Sequence, residues 1–122
     1  MVRSALCVTL VAGLLFALAA CAVTVPDEDP GIRGTITSIT AAAGGGSILV
    51  ETPADSPVFD YDRAAVRIAD DTKVLYETDG GAYEEGTFDD LAEGQLVDVW
   101  FTGAVAESYP VQGTAKVVLI RE

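Results

Sequence analysis

From Gly31 onward the chain is cut into short runs of Val, Ile and Thr by clusters of Gly, Asp and Pro, and this punctuation constrains the fold more than any other feature. β-Branched residues suit a half-buried pleated surface, while Gly, Asp and Pro end strands and form turns. Six runs read as short strands: Ile32 to Thr40, Ser47 to Thr52, Ala64 to Asp70, Lys73 to Glu77, Gln95 to Gly103 and Lys116 to Arg121. In "QLVDVWFTG", Val97, Val99 and Phe101 share one face, and Leu96, Asp98 and Trp100 share the other. A carboxylate is not expected to be buried without a partner, so the valine face should point to the core, with Asp98 and Trp100 toward solvent. The last run, "KVVLIR", is apolar on both faces.

One segment reads as helical. In "TFDDLAEG", Thr87 can cap the amides that follow, Asp89 and Asp90 suit the positive end of a helix, and Gly94 suits a left-handed stop. One or two turns are all it allows. The expected fold is therefore all-β: a small OB-like barrel of five to six strands with one short helix, the third strand being split at Asp70 to Thr72. An open β-sandwich or another small barrel is the alternative. The stretch "AAAGGGS" (Ala41 to Ser47) reads as a flexible hairpin loop. A phosphate-cradling loop would open a helix, and here a strand follows.

The first 20 residues have a different texture. Arg3 is the only charged residue before Asp27, and Leu6 to Leu18 is an apolar core followed by Ala19, Ala20 and Cys21. A basic start, a short apolar centre and a small-residue cleavage region mark a secretory signal; the whole apolar run Ala5 to Val23 is just long enough to span a bilayer, so an uncleaved transmembrane helix is the alternative. Leu18-Ala19-Ala20-Cys21 resembles the bacterial lipobox. The resemblance implies acylation of the Cys21 sulfur, cleavage before Cys21 and a membrane anchor through lipid. A thiolate is a suitable nucleophile for taking a diacylglyceryl group. The expected organisation is a lipoprotein signal peptide over residues 1–20, a lipidated tether over 21–30 and a β-barrel domain over 31–122. "AVTVPDEDP" (Ala22 to Pro30) reads as a tether that holds the domain near the membrane without burial.

Charge and cysteine usage narrow the function. The chain has 19 acidic and 7 basic residues, a net charge of −12, and cleavage would remove Arg3 from the basic side. Such acidity argues against binding nucleic acid or an anionic lipid surface through charge. After cleavage Cys21 is the one cysteine, so the fold has no internal disulfide and rests on its core. The sequence contains no His, which excludes His-based zinc sites and Ser-His-Asp triads.

Candidate binding residues gather late in the chain. Trp100, expected on the outer strand face, is followed by Glu107, Tyr109 and Gln112 in or beside one loop. An aromatic with nearby polar groups can stack on a sugar ring or accept a peptide; the structural reading is that Trp100 packs under the loop and Pro110 stiffens the turn. Asp60 and Asp62 alternate as calcium ligands sometimes do, and Asp79, Glu84 and Glu85 lie on another loop, but calcium needs six or more oxygens and no EF-hand pattern is present. Asp70/Asp71 and Asp89/Asp90 are sequence neighbours. Glycosidase carboxylates face each other across about 5–10 Å, so turn and cap roles suffice for these pairs. No catalytic residue, metal site or cofactor is expected.

The segments "GTITSI", "VRIADDTKV", "TFDDLAEGQLVDVWFTG" and "AESYPVQGTA" together resemble the YobA-like bacterial lipoproteins. The resemblance implies a small extracytoplasmic domain anchored in the cell envelope, and it implies no reaction. The expected function is thus a non-enzymatic binding or interaction module at the outer face of the bacterial membrane, with a protein or glycan partner. The alternatives are an envelope enzyme acting on glycan or peptide through acidic loop residues, and a structural envelope component.

Overall fold

The computed structural model describes residues 23–121. The expected signal peptide and Cys21 lie outside the described residues. Seven strands follow one another: β1 (Ile32–Ala42), β2 (Gly45–Glu51), β3 (Arg63–Ile68), β4 (Lys73–Glu77), β5 (Tyr83–Gly86), β6 (Leu96–Ala106) and β7 (Val111–Ile120). The sheet order is β3-β2-β1-β6-β7-β4-β5, and β3 also pairs with β7. This second pairing closes β1, β2, β3, β7 and β6 into a five-stranded barrel, with β4 and β5 as an extension.

The OB-like reading accounts for the connectivity. β1 pairs with β6 through Ile32 to Thr35 and with β2 through Thr35 to Ala42, so it bends from one side of the barrel to the other. β3 and β7 run parallel, as do β4 and β7. β3 takes the first half of β7 and β4 the second, so the two are one long strand broken at Ala69 to Thr72. Thr72 holds the break: its hydroxyl accepts the Ala69 N–H at 2.9 Å and donates to the Ala115 carbonyl at 2.6 Å. On the other edge of β7, in the ladder with β6, Trp100 pairs with Val117 and Phe101 with Ala115, which leaves Lys116 as a bulge.

The period-2 pattern fills the interior. Ile32 and Ile36, Ile48 and Val50, Val66 and Ile68, and Val97 and Val99 are all buried in one cluster. Full burial of such side chains is worth about 1.5–3 kcal/mol each. The valine face of β6 points inward, as the alternation requires. The helical candidate contracts to a single 3-10 turn, Phe88–Asp90. Asp90 accepts the Thr87 N–H at 2.7 Å, and the Gln95 side chain closes the following turn by accepting from Ala92 N–H and donating to the Asp90 carbonyl. The run is too short to pass one turn before Gly94 adopts positive φ.

Several expectations need correction. The strands number seven, not six, with Tyr83–Gly86 added, and the last begins at Val111 and not at Lys116. The triple-glycine stretch is not a slack loop: β1 and β2 stay paired up to Ala42 and Gly45, leaving a two-residue turn. The glycines permit close approach, since a Cβ on Gly45 would overlap the Ile68 carbonyl oxygen and one on Gly46 would lie 2.6 Å from the Phe88 ring. Asp98 does not face solvent; it is 2% exposed. Arg33, its partner across the β1–β6 ladder, grips it in a fork at 2.6 and 2.9 Å, and Arg121 adds a contact at 3.2 Å. Trp100 is also covered, at 6% exposure, in a second apolar cluster with Leu75, Val117 and Leu119 on the outside of the barrel. The cover is the expected tether. Val23 and Val25 pack on this cluster, and the Glu28 carbonyl accepts the indole N–H at 2.8 Å.

Candidate functional site

β3 carries the outward-facing residues that organise the exposed surface. Residues two apart on a strand share a face, so Arg63, Ala65 and Arg67 form a row on the outside of the barrel. The registers with β2 and β7 turn this row into a grid. Arg63 lies beside Glu51, Ala65 lies between Leu49 and Gln112, and Arg67 lies between Ser47 and Thr114.

The two arginines meet different surroundings. Arg63 lies 3.4 Å from Glu51 and stacks over the Tyr109 ring at 5.8 Å. Glu51 is itself engaged by the Thr37 hydroxyl at 2.7 Å. The Arg63 Nε is covered yet has no acceptor in hydrogen-bonding geometry, so its contact with Glu51 is charge proximity rather than a formed hydrogen bond. Arg67 is exposed, and none of the ion pairs among the described residues includes it. Two hydroxyls flank it in register.

A shallow groove of about 520 Å³ runs over this face, with Arg67, Ser47, Gln112 and Thr114 as its polar groups and Ala65 and Gly113 among its small ones. The β6–β7 hairpin contributes Ala104 and Ala106 to one wall. Beyond Arg67 a second concavity of about 510 Å³ continues along the β1–β2 turn to Asp70 and Asp71. Small side chains let an extended ligand approach the sheet, and a guanidinium beside hydroxyls favours an anionic or strongly hydrogen-bonding group.

The structure divides the four sequence-derived candidates. Gln112 lines the groove. Tyr109, 69% exposed, stands at the β6–β7 turn beside Arg63, its hydroxyl 3.5 Å from Asp62. Glu107 is exposed on the same turn. Trp100 is apart from them, beneath residues 23–28. Arg67, Arg63 and Ser47 were not among the candidates; the alternation of Arg63, Ala65 and Arg67 on one strand face was the available signal.

Some of the acidic residues have local partners. Glu85 pairs with Lys73 at 3.1 Å. Glu84 lies opposite Tyr76, and its hydrogen bond, then its charge, raises the phenol above the ordinary tyrosine value. Among the described residues, no three acidic or Cys side chains converge as metal ligands. Arg33 is held above the ordinary arginine value by its hydrogen bond to Asp98.

Comparison with the curated proteins and with the solved structures gives no match. A family match covers residues 47–120. It begins at β2 and ends with β7, so it includes every strand of the groove together with the β4–β5 extension. With more than half of the chain inside it, the protein belongs to the family described as "Protein of unknown function (DUF3221)".

Proposed function

We propose that this protein is a non-catalytic binding module, held by lipid on Cys21 at the outer face of the bacterial membrane, that captures an extended partner segment along β2, β3 and β7. The observation that carries the proposal is the row Ser47–Arg67–Thr114: an exposed arginine between two hydroxyls, outside every ion pair of the described residues, in a strongly acidic chain. OB-type barrels bind polymers on the face of their second and third strands, between the first hairpin and the last. That analogy lends the groove support but does not choose a ligand. Overall acidity disfavours nucleic acid, so the partner is a protein or glycan segment bearing a carboxylate or similar group. The leader and its lipobox-like end support the address, as does the resemblance to YobA-like lipoproteins.

The test uses the soluble domain, residues 22–122, immobilised and offered envelope proteins and cell-wall glycan fragments. Arg67→Ala and Gln112→Ala should each reduce capture several-fold, with melting temperatures unchanged because both side chains are exposed. Equal capture by wild type, Arg67→Ala and Arg67→Glu would remove the groove from consideration.

A further inference from the structure

The segment leading from Cys21 into the barrel is itself part of the fold. The alternation Val23-Thr24-Val25 sends both valines to one side and leaves Thr24 exposed on the other. The valines cover Trp100, Leu75, Val117 and Leu119, with Tyr83 at the margin. The Glu28 carbonyl then fixes the Trp100 indole, and Pro30 is buried where the segment enters β1. After Pro26 come the exposed acids Asp27, Glu28 and Asp29.

We propose that this docked segment sets the barrel close against the bilayer in a fixed orientation, with the Trp100–Leu75–Leu119 face toward the lipid and the Arg67 groove set off from it along β7. The inference rests on the lipid reading of Cys21. An acylated Cys21 stands two residues before Val23, a covalent span of at most about 7 Å. A free segment of ten residues would allow roughly 33 Å of excursion and unrestricted rotation; docking from Val23 removes nearly all of that freedom. The outer face of β7 shows how the two functions are kept apart. Its first half presents Gln112 and Thr114 to the groove, and its second half presents Val117 and Leu119 to the docked segment, with the Lys116 bulge between them. The acids after Val25 oppose anionic headgroups, which keeps the barrel on the surface rather than in it.

The chain's single tryptophan lies inside this contact and serves as the probe. Full-length protein is produced in a lipidating bacterium, its acylation is verified by mass, and it is reconstituted in phosphatidylcholine–phosphatidylglycerol vesicles carrying headgroup nitroxides. Trp100 fluorescence should be quenched. Inserting ten Gly/Ser residues between Ala22 and Val23 should abolish most of the quenching without shifting the emission maximum. Val23→Ser with Val25→Ser should shift the emission to the red, because the indole loses its cover. Acylated wild type that escapes quenching, or that is quenched no more than the insertion variant, overturns the orientation; an unshifted emission in the double variant overturns the docking. A mass without acyl chains overturns the lipid reading itself, and the same spectrum separates that failure from the others.

Discussion

Asp98 shows how a carboxylate can be stored on the outside of a barrel and still be kept from water. It stands across the ladder from Arg33 and is reached from the other side by Arg121; the fork from Arg33 satisfies both of its oxygens. Breaking such a pair from one side strands the opposite charges. Asp98→Ala should therefore cost about 3 kcal/mol in urea unfolding, the low end for a covered pair because both guanidinium groups remain partly in water. Arg33 titrates higher in the folded protein than in the unfolded chain, its hydrogen bond to Asp98 being the main cause. While Asp98 is ionised, its share of stability is thus fully present below the ordinary arginine value and is lost as the pH rises through the higher folded value. Tyr76 offers an accessible readout of the same logic. Glu84 raises its phenol above 10.0, so its contribution is present below that pH and fades as the pH climbs through the higher folded value. An ultraviolet titration should show a late-ionising component that is lost in Tyr76→Phe and moves to lower pH in Glu84→Gln. Persistence of the late component in Glu84→Gln would assign it elsewhere.

At the scale of single elements, the β1–β2 hairpin and the broken third strand decide whether the barrel closes. Gly45 sits at φ +141° with the Ile68 carbonyl where a Cβ would be, whereas Gly81 at φ +81° has nothing within 4 Å. Gly45→Ala should therefore lower stability by more than about 2 kcal/mol, and Gly81→Ala by only about 1 kcal/mol, as measured by thermal unfolding of both variants. Element positions were largely legible beforehand because alternation is a direct signal: Val97 and Val99 facing the core, and the split at Asp70 to Thr72, follow from the order of residues alone. What alternation cannot convey is which outer face another segment will cover. Asp98 and Trp100 lie on the outer face as read, yet both are buried, because Arg33 and Val23 come from parts of the chain that pairing alone brings near. The clues were faint ones: valines two apart in "AVTV", and a final strand apolar on both sides. The groove was half legible. Of the four sequence-derived candidates Gln112 lines it, on β7 and not in a loop, while Arg67 acquires its significance only from the registers that place Ser47 and Thr114 beside it.

For the molecule as a whole, β7 is the seam. It pairs with β6, β3 and β4, so three other strands converge on it. A chain stopped after Pro110 should give no cooperative thermal transition, with circular dichroism lacking the strand signal of the full domain. A cooperative transition in that fragment would show that the remaining four barrel strands suffice. The same seam bears on timing. Because the closing strand is the last of the barrel to emerge from a ribosome, the preceding residues have no complete partner set during synthesis. Until Val111–Ile120 is in place, β3 and β6 each keep an open edge, and only then does the chain become a closed, rigid object.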